Sequence, residues 1–228
     1  MRFIYKYIGE KEKLIFDKFK ENQNLNLYDY FILFLKGILS FIESIIRHIS
    51  GPFGFKIRQI YYKSIFIKSG NNILIDSNVI IDHPQNIELG SNIWIGSFSV
   101  IAPVLGNIKA GDNIHINTGC HLGGRSNIIL EDNVNISSGT KIFSGSANMP
   151  KKDKKIWNPM MREDLSLINY GTVHLEDNAT IFANCTIAPN TRMGKGSILI
   201  SNSFLNKNTK AFEIFCGVPA KKIGNRYS

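Results

Sequence analysis

From Ile73 onwards an aliphatic residue returns every six positions, and this period constrains the fold more than any other property of the chain. Written in sixes, the chain runs ILIDSN and VIIDHP, then IELGSN, IWIGSF and SVIAPV, then IKAGDN, IHINTG and CHLGGR, then IILEDN, VNISSG and TKIFSG. After a break come VHLEDN, ATIFAN, CTIAPN, TRMGKG, SILISN and SFLNKN. The third position is Ile, Leu or Met except at Ala110, the first is β-branched or small, and the sixth is mostly Asn or Gly. Asn and Gly tolerate the left-handed backbone of a tight corner, so each hexad reads as a short strand followed by a corner. No hexad can bury its inward side chains alone. The units must therefore coil and stack, about 4.8 Å apart, as neighbouring strands do.

The insertions count the sides. Gln85-Asn86, Leu105 to Asn107 and Ser126-Asn127 each interrupt the period after a third hexad, so three hexads make one coil. The long break, residues 146–172, falls at the next such point. It reads as a loop extruded from an insertion-prone corner while the coil continues beneath it. The expected organisation is an N-terminal tail with amphipathic and basic helices over 1–70, the repeat over 71–210 and a C-terminal segment over 211–228. Cys120 and Cys185 take inward first positions on one face, two coils and about 9 to 10 Å apart, beyond disulfide reach. Both read as core fillers, and Cys216 shows no paired ligand spacing. Three cysteines, with no cleavable signal in MRFIYKYIGEKEKLIF, point to the cytoplasm.

Residues 27–49, LYDYFILFLKGILSFIESIIRHI, place Asp29, Lys36, Ser40, Glu43 and Arg47 at gaps of 7, 4, 3 and 4, a narrow polar stripe on a helix. The other faces are too apolar for an isolated soluble helix, and the interior charges argue against a membrane span. After Gly51-Pro52, the stretch GFKIRQIYYKSIFIK mixes Lys56, Arg58, Lys63 and Lys68 with Tyr61, Tyr62 and Phe66, a blend suited to a lipid headgroup layer. Residues 1–70 hold 12 Lys and Arg against 6 Asp and Glu, two-thirds of the net charge of +9. Two readings follow for residues 27–70: peripheral contact with a membrane, or packing on the protein's own domain or a neighbouring subunit. Nucleic acid is not expected, because the cations interleave with a strongly apolar helix and no binding motif is present.

The hexads, the corner loop and the ending EIFCGVPAKKIGNR together resemble the hexapeptide-repeat acyltransferases over roughly residues 70 to 225. Within them, KIFSGSANM followed by NPMMREDL is most similar to a branch associated with sugar O-acetylation in cell-surface polysaccharide pathways. The resemblance implies an all-β fold, a left-handed parallel β-helix, assembled as a homotrimer with an acetyl-CoA groove between subunits. It implies no metal. In the β-helix carbonic anhydrases histidines share a zinc, but here His115 and His121 are six apart and fall on adjacent faces.

Acyl transfer to a hydroxyl needs a base for its proton and donors for the developing oxyanion. The family commonly supplies a loop histidine, yet SGSANM carries Gly145 and Ala147, and the loop contains no histidine. Among the five histidines, His48 lies in the helix and His83 at an early corner, while His115, His121 and His174 take outward second positions. His121 lies one coil below Lys141 on the face that leads into the loop, and His174 opens the face that follows it, so both are candidate bases. Asp153, Glu163 and Asp164 in the loop are fallback bases or orienters. Matched by register, the resemblance places Ala183, Ser201, Asn206 and Lys207 along the pantetheine, and Gly217, Lys221 and Lys222 at the phosphates. The loop's KKDKK reads as a solvated run or as a rim for the nucleotide phosphates. The function implied is His-assisted acetyl transfer from acetyl-CoA to a hydroxyl of a saccharide acceptor. The alternatives are N-acetylation of a nucleotide amino sugar, or a non-catalytic scaffold, for which the missing loop histidine and the eroded hexads TRMGKG and SILISN speak.

Overall fold

Alternation along a strand sends the first and third side chain of each hexad inward and the second outward. Ile114, Ile116, Cys120 and Leu122 are accordingly at most 3% exposed, and His115 and His121 between them are half-buried. The computed structural model describes residues 1–147 and 168–227. Each strand pairs in parallel with the strand three hexads away, as in the ladder Ile87, Ile108, Ile128 and Val173. Three faces result. Face A runs from Lys68–Ser69 through Ile128–Leu130 and Val173–Leu175 to Arg192–Met193. Face B runs from Ile73–Ile75 to Ile198–Leu199, and face C from Ile80–Ile81 through His121–Gly123 and Lys141–Phe143 to Phe204–Leu205. The C-terminal segment continues this architecture: Glu213–Gly217 extends face B and Ala220–Asn225 folds back antiparallel on it.

The corner asparagines adopt the left-handed conformation that the hexads call for, with φ between 58° and 62° at Asn78, Asn92, Asn113, Asn133, Asn178, Asn184, Asn190 and Asn202. At the A–B corner, side-chain amides of Asn72, Asn92 and Asn113 each donate to the asparagine of the next coil at 3.1 Å. Backbone N–H groups of Ser91, Asp112 and Asp132 donate in the same way to Asp112, Asp132 and Asp177. Such ladders demand equal spacing from coil to coil, and the A–B corner carries no insertion. The C–A corner takes them all, the long loop included. Cys120 and Cys185 are buried free thiols, as the register requires.

Three helices, α1 (Arg2–Lys20), α2 (Leu27–His48) and α3 (Gly51–Lys63), precede the coils. The first is a helix where the sequence leads one to expect an N-terminal tail; no side chain caps it, and it is held by Tyr5, Ile8 and Ile15 buried against α2 and the first coil. Asp29, Lys36 and Glu43 of the α2 polar stripe meet α1. Lys18 pairs with the buried Asp29 at 2.7 Å, Lys36 with Glu12 at 3.0 Å, and the Tyr5 hydroxyl donates to Glu43 at 3.1 Å. Burial pushes the Glu43 carboxyl above its ordinary pKa. Of the next segment, read as suited to a headgroup layer, Lys56, Lys63 and Lys68 are exposed, whereas Arg58, Tyr61, Tyr62 and Phe66 are buried in the protein and face no lipid. Arg58 is 1% exposed because its guanidinium donates to the carbonyls of Ile75 at 2.7 Å, Ile46 at 3.2 Å and Ile49 at 2.6 Å. Among the described residues no helix is long and apolar enough to cross a membrane.

Candidate active site

The corner that extrudes the loop is clamped from below. The Ser144 hydroxyl donates to the Ser126 carbonyl at 2.7 Å, and the Ser126 N–H donates back to that hydroxyl oxygen at 3.2 Å. Gly124, with φ at 140°, passes so close that a Cβ would lie 2.5 Å from Ser144 Oγ. From this clamp Gly145–Ala147 pairs antiparallel with Ile168–Tyr170, so the loop leaves the prism as a two-stranded ribbon. Asp153, Glu163, Asp164 and the KKDKK run lie outside the described residues.

His121 stands on face C between Val100 and Lys141, one coil below the strand that feeds the ribbon. Its ring reaches along the strand over Gly123, where an added Cβ would come within 3.3 Å of Nε2. The missing side chain at Gly123 thus makes room for the imidazole beside the loop corner. The ring also meets Phe143 edge-on, with centroids 5.1 Å apart. Burial, and then the charge of Lys141, lower the His121 pKa below the usual imidazole value. The imidazole is therefore neutral at neutral pH, with one nitrogen lone pair free to take a proton.

His174 has a different setting. Its Nε2 lies 2.7 Å from Glu131 Oε1, and Glu131 Oε2 accepts from the Asp177 N–H at 3.1 Å. Glu131 directly follows the face A strand Ile128–Leu130, so it draws the ring towards the A–B corner, away from the loop. The structure does not bring the two candidate histidines together. On face B, His115 stacks against Trp94 at 5.2 Å and contacts Asn135 at 3.2 Å. Among the described residues no three His, Cys, Asp or Glu side chains gather as a metal ion requires.

The candidate cofactor residues fall into two groups. Ala183 and Ser201 lie at the B–C corner in successive coils, joined where the Asn202 N–H donates to the Ala183 carbonyl at 2.9 Å. The Gly217 N–H donates to Ser203 Oγ at 2.9 Å and brings the turn of the C-terminal hairpin to the same edge. Asn206 and Lys207 instead follow the last strand of face C, with the Lys207 ammonium 5.5 Å from the Phe215 ring centroid. Lys222 is committed to Glu213 at 3.0 Å. Lys221 is exposed and has no acidic partner among the described residues. Reading the hexads missed Gly123, Phe143 and Ser144. The one signal for them is the Gly-Gly pair of CHLGGR, which breaks the composition of its corner just below the loop.

No protein-family model matches the sequence. The chain is similar to dTDP-4-amino-4,6-dideoxy-D-glucose acyltransferase of Escherichia coli, 26% identical over 171 residues, 75% of this chain and 86% of that one. A variant of AntD, an N-acyltransferase from Bacillus cereus in complex with dTDP and coenzyme A, matches with a TM-score of 0.67 at 26% identity, over 74% of this chain and 89% of that one. A hexapeptide-repeat acetyltransferase from Vibrio cholerae, complexed with acetyl coenzyme A, shares the fold over 92% of this chain and 97% of its own, with a TM-score of 0.54 at 14% identity. With three hexads to each coil, a loop at one corner and these likenesses, the chain has the left-handed parallel β-helix fold and is similar to the hexapeptide-repeat acyltransferases.

Proposed function

We propose that the protein transfers an acyl group from an acyl-CoA to the amino group of a nucleotide-linked amino sugar. The observation that carries this reading is the likeness, over three-quarters of the chain, to a dTDP-amino-sugar acyltransferase and to an N-acyltransferase bound to dTDP. It favours an amine over the hydroxyl acceptor that the loop sequence evokes. In the reaction the amine attacks the thioester carbonyl, a C–N bond forms and the C–S bond breaks. His121, neutral beside the loop corner, takes the proton lost by the attacking nitrogen and returns it to the departing sulfur. The donor lies along the B–C edge, with its pantetheine against Ala183 and Ser201 and its phosphates near Gly217 and Lys221. In this reading a homotrimer completes the groove.

Incubation with acetyl-CoA and dTDP-4-amino-4,6-dideoxyglucose, with product mass before and after hydroxylamine, tests the proposal. An acetyl group that survives hydroxylamine is an amide and supports it. Release of the group would establish an ester and return the reading to O-acetylation, and an absence of CoA release with any amino-sugar nucleotide would refute the proposal.

Gly123→Ala probes the placement of the base. The new Cβ would sit 3.0 Å from the Ala102 carbonyl and 3.3 Å from His121 Nε2, so the ring must move. A displacement of that kind lowers kcat/KM by roughly ten- to a hundredfold. Binding of acetyl-CoA, measured by calorimetry, is expected to stay unchanged.

A further inference from the structure

The helical region presents a continuous apolar face that nothing among the described residues covers. Because Asp29, Lys36 and Glu43 of α2 are engaged with α1, its opposite arc faces out. Leu27, Phe31, Phe34, Ile38, Phe41 and Ile45 follow one another at gaps of 4, 3, 4, 3 and 4, and each is between 43% and 87% exposed. Seven-residue alternation of this kind is a single stripe along a helix, here about 27 Å long at 1.5 Å per residue. No charged side chain interrupts it. The adjoining α3 has an outer arc of a second kind: Phe53, Lys56, Ile60 and Lys63, at gaps of 3, 4 and 3, are all exposed. No carboxylate occurs on α3, and neither lysine forms an ion pair among the described residues.

The geometry points to an anionic lipid bilayer as the occupant of this face, with α2 lying in the plane of the headgroups and α3 setting its lysines against lipid phosphates. Charge decides between occupants. A second copy meeting the same face would set Lys56 and Lys63 near their own kind, which is unfavourable, whereas an anionic surface complements them. A polar-in, apolar-out helix also suits a lipid interface: Asp29, Lys36 and Glu43 are already met by α1 on the inner side, so these groups need not be dehydrated without a partner when the outer arc enters the acyl boundary. The active-site corner plays no part in this proposal.

The test is sedimentation of the full-length chain with vesicles of phosphatidylcholine alone and of phosphatidylcholine with 30 mol% phosphatidylglycerol, that is, about a third anionic lipid. The expected result is binding to the anionic vesicles that weakens on the order of tenfold or more for Lys56→Gln/Lys63→Gln, and on raising salt. Phe34→Ser/Phe41→Ser alters two side chains that are 65% and 67% exposed. It is expected to keep the far-ultraviolet circular dichroism and thermal midpoint of the wild type while losing vesicle binding. Equal binding by that variant, or no binding of the wild type to anionic vesicles, would overturn the proposal. So would an assembly, measured by light scattering without lipid, that shrinks when Phe34 and Phe41 are replaced, since the face would then belong to a second copy.

Discussion

His121→Ala is expected to lower kcat/KM by roughly a hundred- to ten-thousandfold, the usual contribution of a positioned general base, with acyl-CoA binding retained. The same substitution at His174 is expected to change kcat/KM little, because its Nε2 is engaged by Glu131 and its ring is drawn to the A–B corner. Steady-state kinetics of the two variants side by side separate these roles. Equal losses would mean that both rings act on one substrate. The pH profile gives an independent readout. Burial and Lys141 hold the His121 pKa down, so the base is lost only as pH falls below the ordinary imidazole value near 6.5. The acid limb that His121 contributes to kcat/KM therefore lies on the acid side of that value. Lys141→Met removes a charge that disfavours the imidazolium, and the limb shifts towards higher pH. A limb that stays in place when Lys141 is replaced, or that persists in His121→Ala, would assign the titration to another group.

The second large effect is structural. Arg58 ties α3 to the end of α2 and to the first coil through three carbonyl groups, while fully withdrawn from water. Arg58→Ala leaves those carbonyls short of donors and opens a cavity, at a cost of about 3 kcal/mol or more. Arg58→Lys is expected to recover only part of this, since one ammonium cannot reproduce the spread of a guanidinium. Chemical denaturation followed by circular dichroism, with proteolysis of α3 as a local probe, measures both. The expected signature is early exposure of residues 51–63 ahead of the β-helix. A wild-type denaturation curve for Arg58→Ala would show that this anchor contributes nothing.

The two predictions rest on residues that the sequence treats very differently. The coil was legible because its signal is local and repeated. Each hexad names its own inward side chains and corner, and each insertion returns to the same side, so the prism, its register and the site of the loop follow from counting. His121 was legible as an outward residue on the face that leads to that loop. Its hexad position does not distinguish it from His174, because both fill the second position and both could face the corner; the local signal that separates them is the Gly-Gly pair of CHLGGR where the His174 hexad has Glu-Asp. What sets their surroundings apart comes mostly from residues distant in sequence: Glu131 captures one ring, while Phe143, with the adjacent Gly123, houses the other beside the clamp of Ser144 and Ser126.

The N-terminal helices show the same division. Periodicity determined that α2 has a polar stripe and an apolar remainder, but an amphipathic pattern does not say which side meets the protein. That was settled in the tertiary structure by Lys18, Glu12 and Tyr5, which offer the stripe partners inside and leave the apolar arc outside. The basic-aromatic segment divided for a related reason. A cation is solvated by default, and Arg58 is buried only because two chain segments end where their carbonyls can receive it. A repeat sums many weak local preferences into one period, which the sequence carries by itself. The facing of a helix, the burial of an arginine and the direction of an imidazole each depend on a few partners brought together from a distance, and only the folded chain supplies them.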